Sequence, residues 1–182
     1  MKHSPRNCLI LLLFVFQFIS LFTSTTWANT DQIKFESDNV TVNKADGSLF
    51  ATGNVKLKQG NNTLRADEVT YYRNQNKAIA RGNVVHIDDV GTVTNAAIME
   101  LDTEFSHILA ETIISNFTAG AWISANHADR IAGNRAIFDG SRFTPCKCDF
   151  LNGERPLWDI KASKSVRNEK TQTITHYNMR MN

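Results

Sequence analysis

Hydrophobic and polar residues alternate one by one through much of the chain. In "ATGNVKLKQ" (51–59), Ala51, Gly53, Val55 and Leu57 share one face, and Thr52, Asn54, Lys56 and Lys58 share the other. A period of two belongs to a strand with one buried face. Breaks rich in Asn, Asp and Gly separate such runs: "KADGS", "KQGNN", "RNQNK" and "DDVG". These residues suit tight turns, so the chain reads as strand, turn, strand. The one long helical candidate lies at the N-terminus.

The strand pattern also repeats. "LFATGNVKL" (49–57) is echoed by "AIARGNVVH" (78–86), so that Ala51, Gly53, Asn54 and Val55 fall on Ala80, Gly82, Asn83 and Val84. "LRADEVTYY" (64–72) is followed by "TNAAIMELD" (94–102) and, more faintly, by "ISANHADRI" (123–131). Worn copies of the first half are "ILAETIISN" (108–116) and "AIFDGSRFT" (136–144). A period of about 30 residues marks stacked units that cannot bury an apolar face alone. The prediction is an all-β fold, a repeat-built slab of short antiparallel strands. Small residues recur at Ala51, Gly53, Ala66, Ala80, Gly82, Ala96 and Ala125, which suits tight corners or a narrow interior. The bulkier inward positions are Val55, Leu57, Leu64, Val69, Tyr71, Val84, Met99 and Leu101. They either fill a core or line an apolar groove between splayed sheets, and periodicity alone does not choose.

The N-terminal helix candidate reads as an export signal. Lys2 and Arg6 precede an apolar run from Cys8 to Phe22, and Thr26 and Ala28 supply small residues before a cut after Ala28. The apolar run is shorter than the ~20 residues of a spanning helix. This sets out a cleaved leader at 1–28, a β-domain at 29–144 and a cysteine-bearing segment at 145–182. The formal net charge is +2, and loss of the leader's two cations brings the rest close to neutral. No basic stripe points to nucleic acid.

Catalytic constellations are scarce. His86, His107, His127 and His176 are scattered; His127 and Asp129 sit two apart on one strand face, as solvated surface residues. Asp88 and Asp89 fall in a turn, where solvent exposure is the expectation. No nucleophile elbow or phosphate-binding glycine loop occurs. The expectation is a protein without catalysis, cofactor or metal. The Asn-x-Thr triplets at Asn39, Asn61 and Asn116 are chance products of Asn- and Thr-rich strands and turns.

Cys146 and Cys148 stand one residue apart in "TPCKCD". A structural zinc site calls for four ligands, and a redox pair calls for two intervening residues. In a strand, residues i and i+2 lie about 6.6 Å apart with parallel Cβ vectors, awkward for a disulfide. A turn after Pro145 would ease this at the cost of strain. An exported protein seldom keeps exposed thiols free.

These repeats resemble the OstA/LptA-like periplasmic domain of the lipopolysaccharide-transport proteins. "ADEVTYYRNQNKAIARGNV" (66–84) is the most specific part. "RFTPCKCD" (142–149) and "PLWDIKASKSVRNEKTQTITHYNMRM" (156–181) resemble the junction between that domain and the outer-membrane barrel of LptD-type members. Phe143, Thr144, Cys146, Trp158, Ile160 and Ala162 carry that second likeness. No counterpart of the barrel follows, which leaves a truncated reading frame or a stand-alone remnant as alternatives. The resemblance implies a slightly open β-jelly roll whose groove shelters lipid acyl chains, turning the inward residues from core into groove lining. It also implies an outer-membrane or periplasmic location and edge strands that pair with a periplasmic bridge protein. Its further implied partners are a barrel with its lipoprotein plug. Finally, it implies that Cys146, and with it Cys148, form disulfides with that barrel.

Overall fold

The computed structural model describes residues 33–147 and 153–182; the leader and Cys148 lie outside them. The described residues form one antiparallel sheet of twelve strands. Two short strands, β1 (Lys34–Glu36) and β2 (Asn39–Val42), share one neighbour, β3 (Leu49–Gln59). The sheet then proceeds strand by strand through β4 (Asn62–Tyr72), β5 (Lys77–Ile87), β6 (Val93–Asp102), β7 (His107–Asn116), β8 (Trp122–Ile131), β9 (Arg135–Thr144) and β10 (Ile160–Asn168). At the far edge β10 pairs with both β11 (Thr173–Tyr177) and β12 (Arg180–Met181). The sheet runs without interruption from β9 to β10, so the segment after residue 144 continues the same ladder. The all-β prediction holds. The strands from β3 to β10 are long, however, and work as two short halves.

The division comes from a crease. Gly53 and Asn54 in β3, and Gly82 and Asn83 in β5, have φ of 78°, 47°, 72° and 45°. Their strands slip register there, between Thr52 and Val55 and between Arg81 and Val84. Left-handed residues at a bulge bend and twist a strand. A carboxylate packs into each bend. Asp38 lies against Gly53 and accepts a hydrogen bond from Asn54 Nδ2 at 2.8 Å; Asp67 does the same for Gly82 and Asn83 at 2.9 Å. Farther along, Asn126 packs on Gly140 (φ 60°), and Thr112 of β7 adopts φ 51°. The repeated "GNV" is thus a repeated hinge.

A flat strand of eleven residues would span about 33 Å from first to last. Yet Phe105, in the turn beside the Lys77 end of β5, stacks on His86 near the other end, with ring centroids 5.3 Å apart. The long strands are therefore folded over, and the two halves of the sheet enclose a core. Near the crease the halves approach closely, and the residues between them are small: Ala51, Ala66, Ala80, Ala96, Ala110 and Ala125 are all buried. Val55, Val84 and Ile113 sit just past the bends, and Leu64, Met99 and Ile123 lie farther out; all six fill the space at 2% exposure or less. A slightly open jelly roll results. Its two rims are the two rows of turns.

Candidate functional site

Between the rims, the N-terminal units remain open. A cavity of about 280 Å³ is bordered by Ile33, Phe35, Leu49, Leu57, Val69, Tyr71, Ala78, Leu101 and Phe105, with Asp102 and Thr103 at its lip. Register explains the grouping. Phe35 faces Leu57 across β1 and β3, while Leu49, Tyr71 and Ala78 align across β3, β4 and β5. One wall comes from each half of the sheet. Ile33 and Phe35 each keep 43% of their surface exposed, a high value for apolar side chains at the mouth of an apolar space. A concave, almost wholly apolar site fits an aliphatic ligand.

The eight inward residues expected from sequence divide here. Leu57, Val69, Tyr71 and Leu101 border the open cavity. Val55, Leu64 and Val84 are sealed in the core, and Met99 borders a smaller enclosed space farther along. Phe105 and the pair Ile33 and Phe35 were not among the expected residues. Phe35 stands on a strand too short to show a period, and Phe105 stands in a turn.

In the later units the rims meet. A space of only about 40 Å³ remains there, bordered by His86, Asp88, Thr92, Met99, Phe138 and Arg130 among others. Asp88, expected to be solvated, is buried in the turn after β5. Its Oδ1 accepts the backbone N–H groups of Thr92 at 2.7 Å and Val90 at 3.2 Å, and its Oδ2 pairs with Arg130 Nη2 at 3.3 Å. Arg130 also donates to both oxygens of Glu169, from Nε at 2.7 Å and Nη2 at 3.3 Å. One unit on, the Arg167 guanidinium lies 4.4 Å from the centre of the Phe117 ring. His86 is 3% exposed, and burial together with the neighbouring Arg130 charge pushes its pKa down to about 4.

Other polar groups bond to one another across the sheet. Ser165 Oγ lies 2.7 Å from His176 Nδ1 and 2.6 Å from Ser141 Oγ, but Ser165 has no exposed surface for a substrate to reach. The three form a polar ladder across β9, β10 and β11, buried at the two serines and half-buried at His176, where burial lowers the pKa. Asp129 pairs across strands with His107, at 2.9 Å. Among the described residues no group of three His, Cys, Asp or Glu side chains could hold a metal ion, and no helix is long and apolar enough to cross a membrane. Cys146 is half-buried just beyond β9, where its N–H donates to Thr144 Oγ1 at 3.2 Å. On β9 Arg142 pairs with Asp159, and the bond from Arg142 holds that carboxyl below its usual range.

Comparison with known proteins matches residues 34–141 to the family described as LptA/(LptD N-terminal domain) LPS transport protein. LPS-assembly protein LptD of Paracidovorax citrulli is 27% identical over 130 residues, which is 71% of this chain and 16% of that protein. Its counterpart in Burkholderia thailandensis is 28% identical over 121 residues, 66% of this chain and 15% of that one. The chain thus spans less than a fifth of the length of these relatives. Among solved structures, LptH of Pseudomonas aeruginosa, titled as an LptA homologue and a periplasmic component of lipopolysaccharide transport, aligns over 84% of this chain and 97% of its own. The identity there is 12% and the TM-score 0.34.

Proposed function

The chain belongs to the family of LptA and LptD N-terminal domain lipopolysaccharide-transport proteins, and from that premise we propose that it binds lipopolysaccharide in the open cavity of its creased sheet. The acyl chains lie between the two walls, against Leu57, Val69, Tyr71 and Leu101. No covalent chemistry is involved. The observation that carries this reading is the cavity itself: about 280 Å³ of apolar space, left open between half-exposed aromatic and aliphatic side chains. Shielding an acyl chain contributes about 0.8 kcal/mol per CH₂, so a multi-chain lipid in water is drawn strongly into such a space.

Both sheet edges carry two short strands, β1 with β2 and β11 with β12. Edge strands present main-chain groups to which a partner can add a strand. We place the periplasmic bridge protein of the transport system at one of them. The other leads toward an outer-membrane barrel and its plug, with Cys146 and Cys148 as disulfide tethers to that barrel. The working location is the periplasm, at the inner face of the outer membrane, reached through the cleaved leader.

Tyr71→Asp tests the cavity. The side chain is half-buried at the cavity wall, so a charge there is tolerated by the fold better than one in the sealed core. Binding of lipopolysaccharide with a truncated sugar core should weaken roughly tenfold or more, from the loss of about 1.5–3 kcal/mol of apolar contact. Unchanged affinity with an unchanged fold would rule out this cavity as the lipid site.

A further inference from the structure

The same interior is open at one end and closed at the other, and the closure is made in an unusual way. Three contacts bridge the rims in succession. Phe105 stacks on His86, Arg130 pairs with Asp88, and Arg167 covers Phe117. Each joins a residue near one row of turns to a residue near the other. Beneath them lie Met99, Ile108, Ala110, Ile113 and Phe138, all buried and apolar. This floor continues the wall of the open cavity, since Leu101 and Phe105 border that cavity while Met99 belongs to the closed part.

The bridging groups are also built to separate without being stranded. When the mouth opens, Arg130 loses Asp88 but keeps both bonds to Glu169, which stands on its own rim. Glu169 in turn keeps the N–H of Gly133 at 2.8 Å. Asp88 loses Arg130 but keeps the N–H groups of Val90 and Thr92. A buried ion pair broken by removing one partner leaves an uncompensated charge; here each partner carries its compensation with it. Arg130 and Arg167, at 17% and 11% side-chain exposure, lie close enough to the surface to regain water.

From this we infer that the Phe105–His86, Arg130–Asp88 and Arg167–Phe117 contacts form a reversible latch over a second, closed stretch of the binding groove. Opening the latch admits further acyl-chain length onto the floor beneath. The inference rests on the lipid-binding reading above and adds the device that regulates how far the groove extends. It makes Asp88 and Arg130 positioning residues for the rims and not contacts to the lipid.

The test measures the width of the mouth. Nitroxide-bearing non-canonical residues at Val90 and Asn134, exposed on opposite rows of turns, report the distance between rims by pulsed electron resonance in the full chain. The protein alone should give one short, narrow distribution. Adding lipopolysaccharide with a truncated core should shift part of it to longer distances. Asp88→Asn keeps an oxygen for the Val90 and Thr92 N–H groups and removes the charge that holds Arg130; it should lengthen the distances without lipid. If the variant does not fold, the comparison of wild type with and without lipid still decides. Lipid that binds through Tyr71 while the mouth stays closed overturns the latch and leaves the transport reading standing. A mouth that opens in Asp88→Asn, with no lipid bound by any form, overturns the transport reading and with it this occupant.

Discussion

Among the described residues, His86 has a strongly lowered pKa. It is buried, stacked on Phe105 and beside Arg130, with Asn62 Oδ1 3.4 Å away, and its folded pKa lies about 4 against an ordinary 6.5. Below about pH 6.5 the unfolded chain takes up a proton that the folded chain refuses. Stability is therefore full above that pH and falls as the pH drops toward 4. A shift of this size corresponds to about 3 kcal/mol. Burial lowers the pKa of His176 as well and acts in the same direction. Urea unfolding between pH 7 and pH 4 should show the decline, and His86→Phe, which retains the stack on Phe105, should flatten most of it. An equally steep decline in His86→Phe would place the acid sensitivity elsewhere.

The strand is the scale at which the sequence was most legible, because alternation and the repeated "GNV" are both short-range signals. Alternation identified the inward residues. The repeat located the glycines of the crease, but not their role, since that depends on Asp38, from the bend between β1 and β2, and on Asp67 of β4. The same distance in sequence hid the latch: a turn aspartate such as Asp88 looks solvated until Arg130 arrives from three strands away. Nor does period distinguish Val55, which is sealed, from Leu57, which borders the cavity, as both point inward. Only the gap between the two sheet halves separates them. The crease makes a sharp prediction. A methyl group at Gly82 would come within 2.5 Å of Asp67 Oδ2 at φ +72°, whereas one at Gly133, at φ +66°, meets nothing within 4 Å. Gly82→Ala should cost about 3 kcal/mol or more by steric conflict added to backbone strain, and Gly133→Ala about 1 kcal/mol from strain alone. Equal losses in urea titrations would mean that the carboxylate gives way and does not set the bend. Farther from the crease, Ile123→Ala, at 0% exposure, should lose about 2–5 kcal/mol to the cavity it leaves.

On the largest scale, the described residues form a folded sheet with two edges and a mouth, open in its first units and bridged in its later ones. In the proposed function the edges serve assembly: β1 and β2 carry exposed Phe35, Val40 and Val42, and Met179 and Met181 are exposed at the opposite edge. Added bridge protein should slow hydrogen exchange in β2 or in β11; unchanged exchange at both edges would contradict strand addition. In the same proposal the mouth takes the lipid, and its position is the central claim. Photo-crosslinking in intact cells tests it most directly, with the reactive residue placed in turn at Leu57 and Tyr71 on the cavity wall and at Lys56 on the outer face of the same strand as Leu57. The account predicts lipopolysaccharide captured from Leu57 and Tyr71 and none from Lys56. Capture from Lys56 alone, or equally from all three, would contradict it.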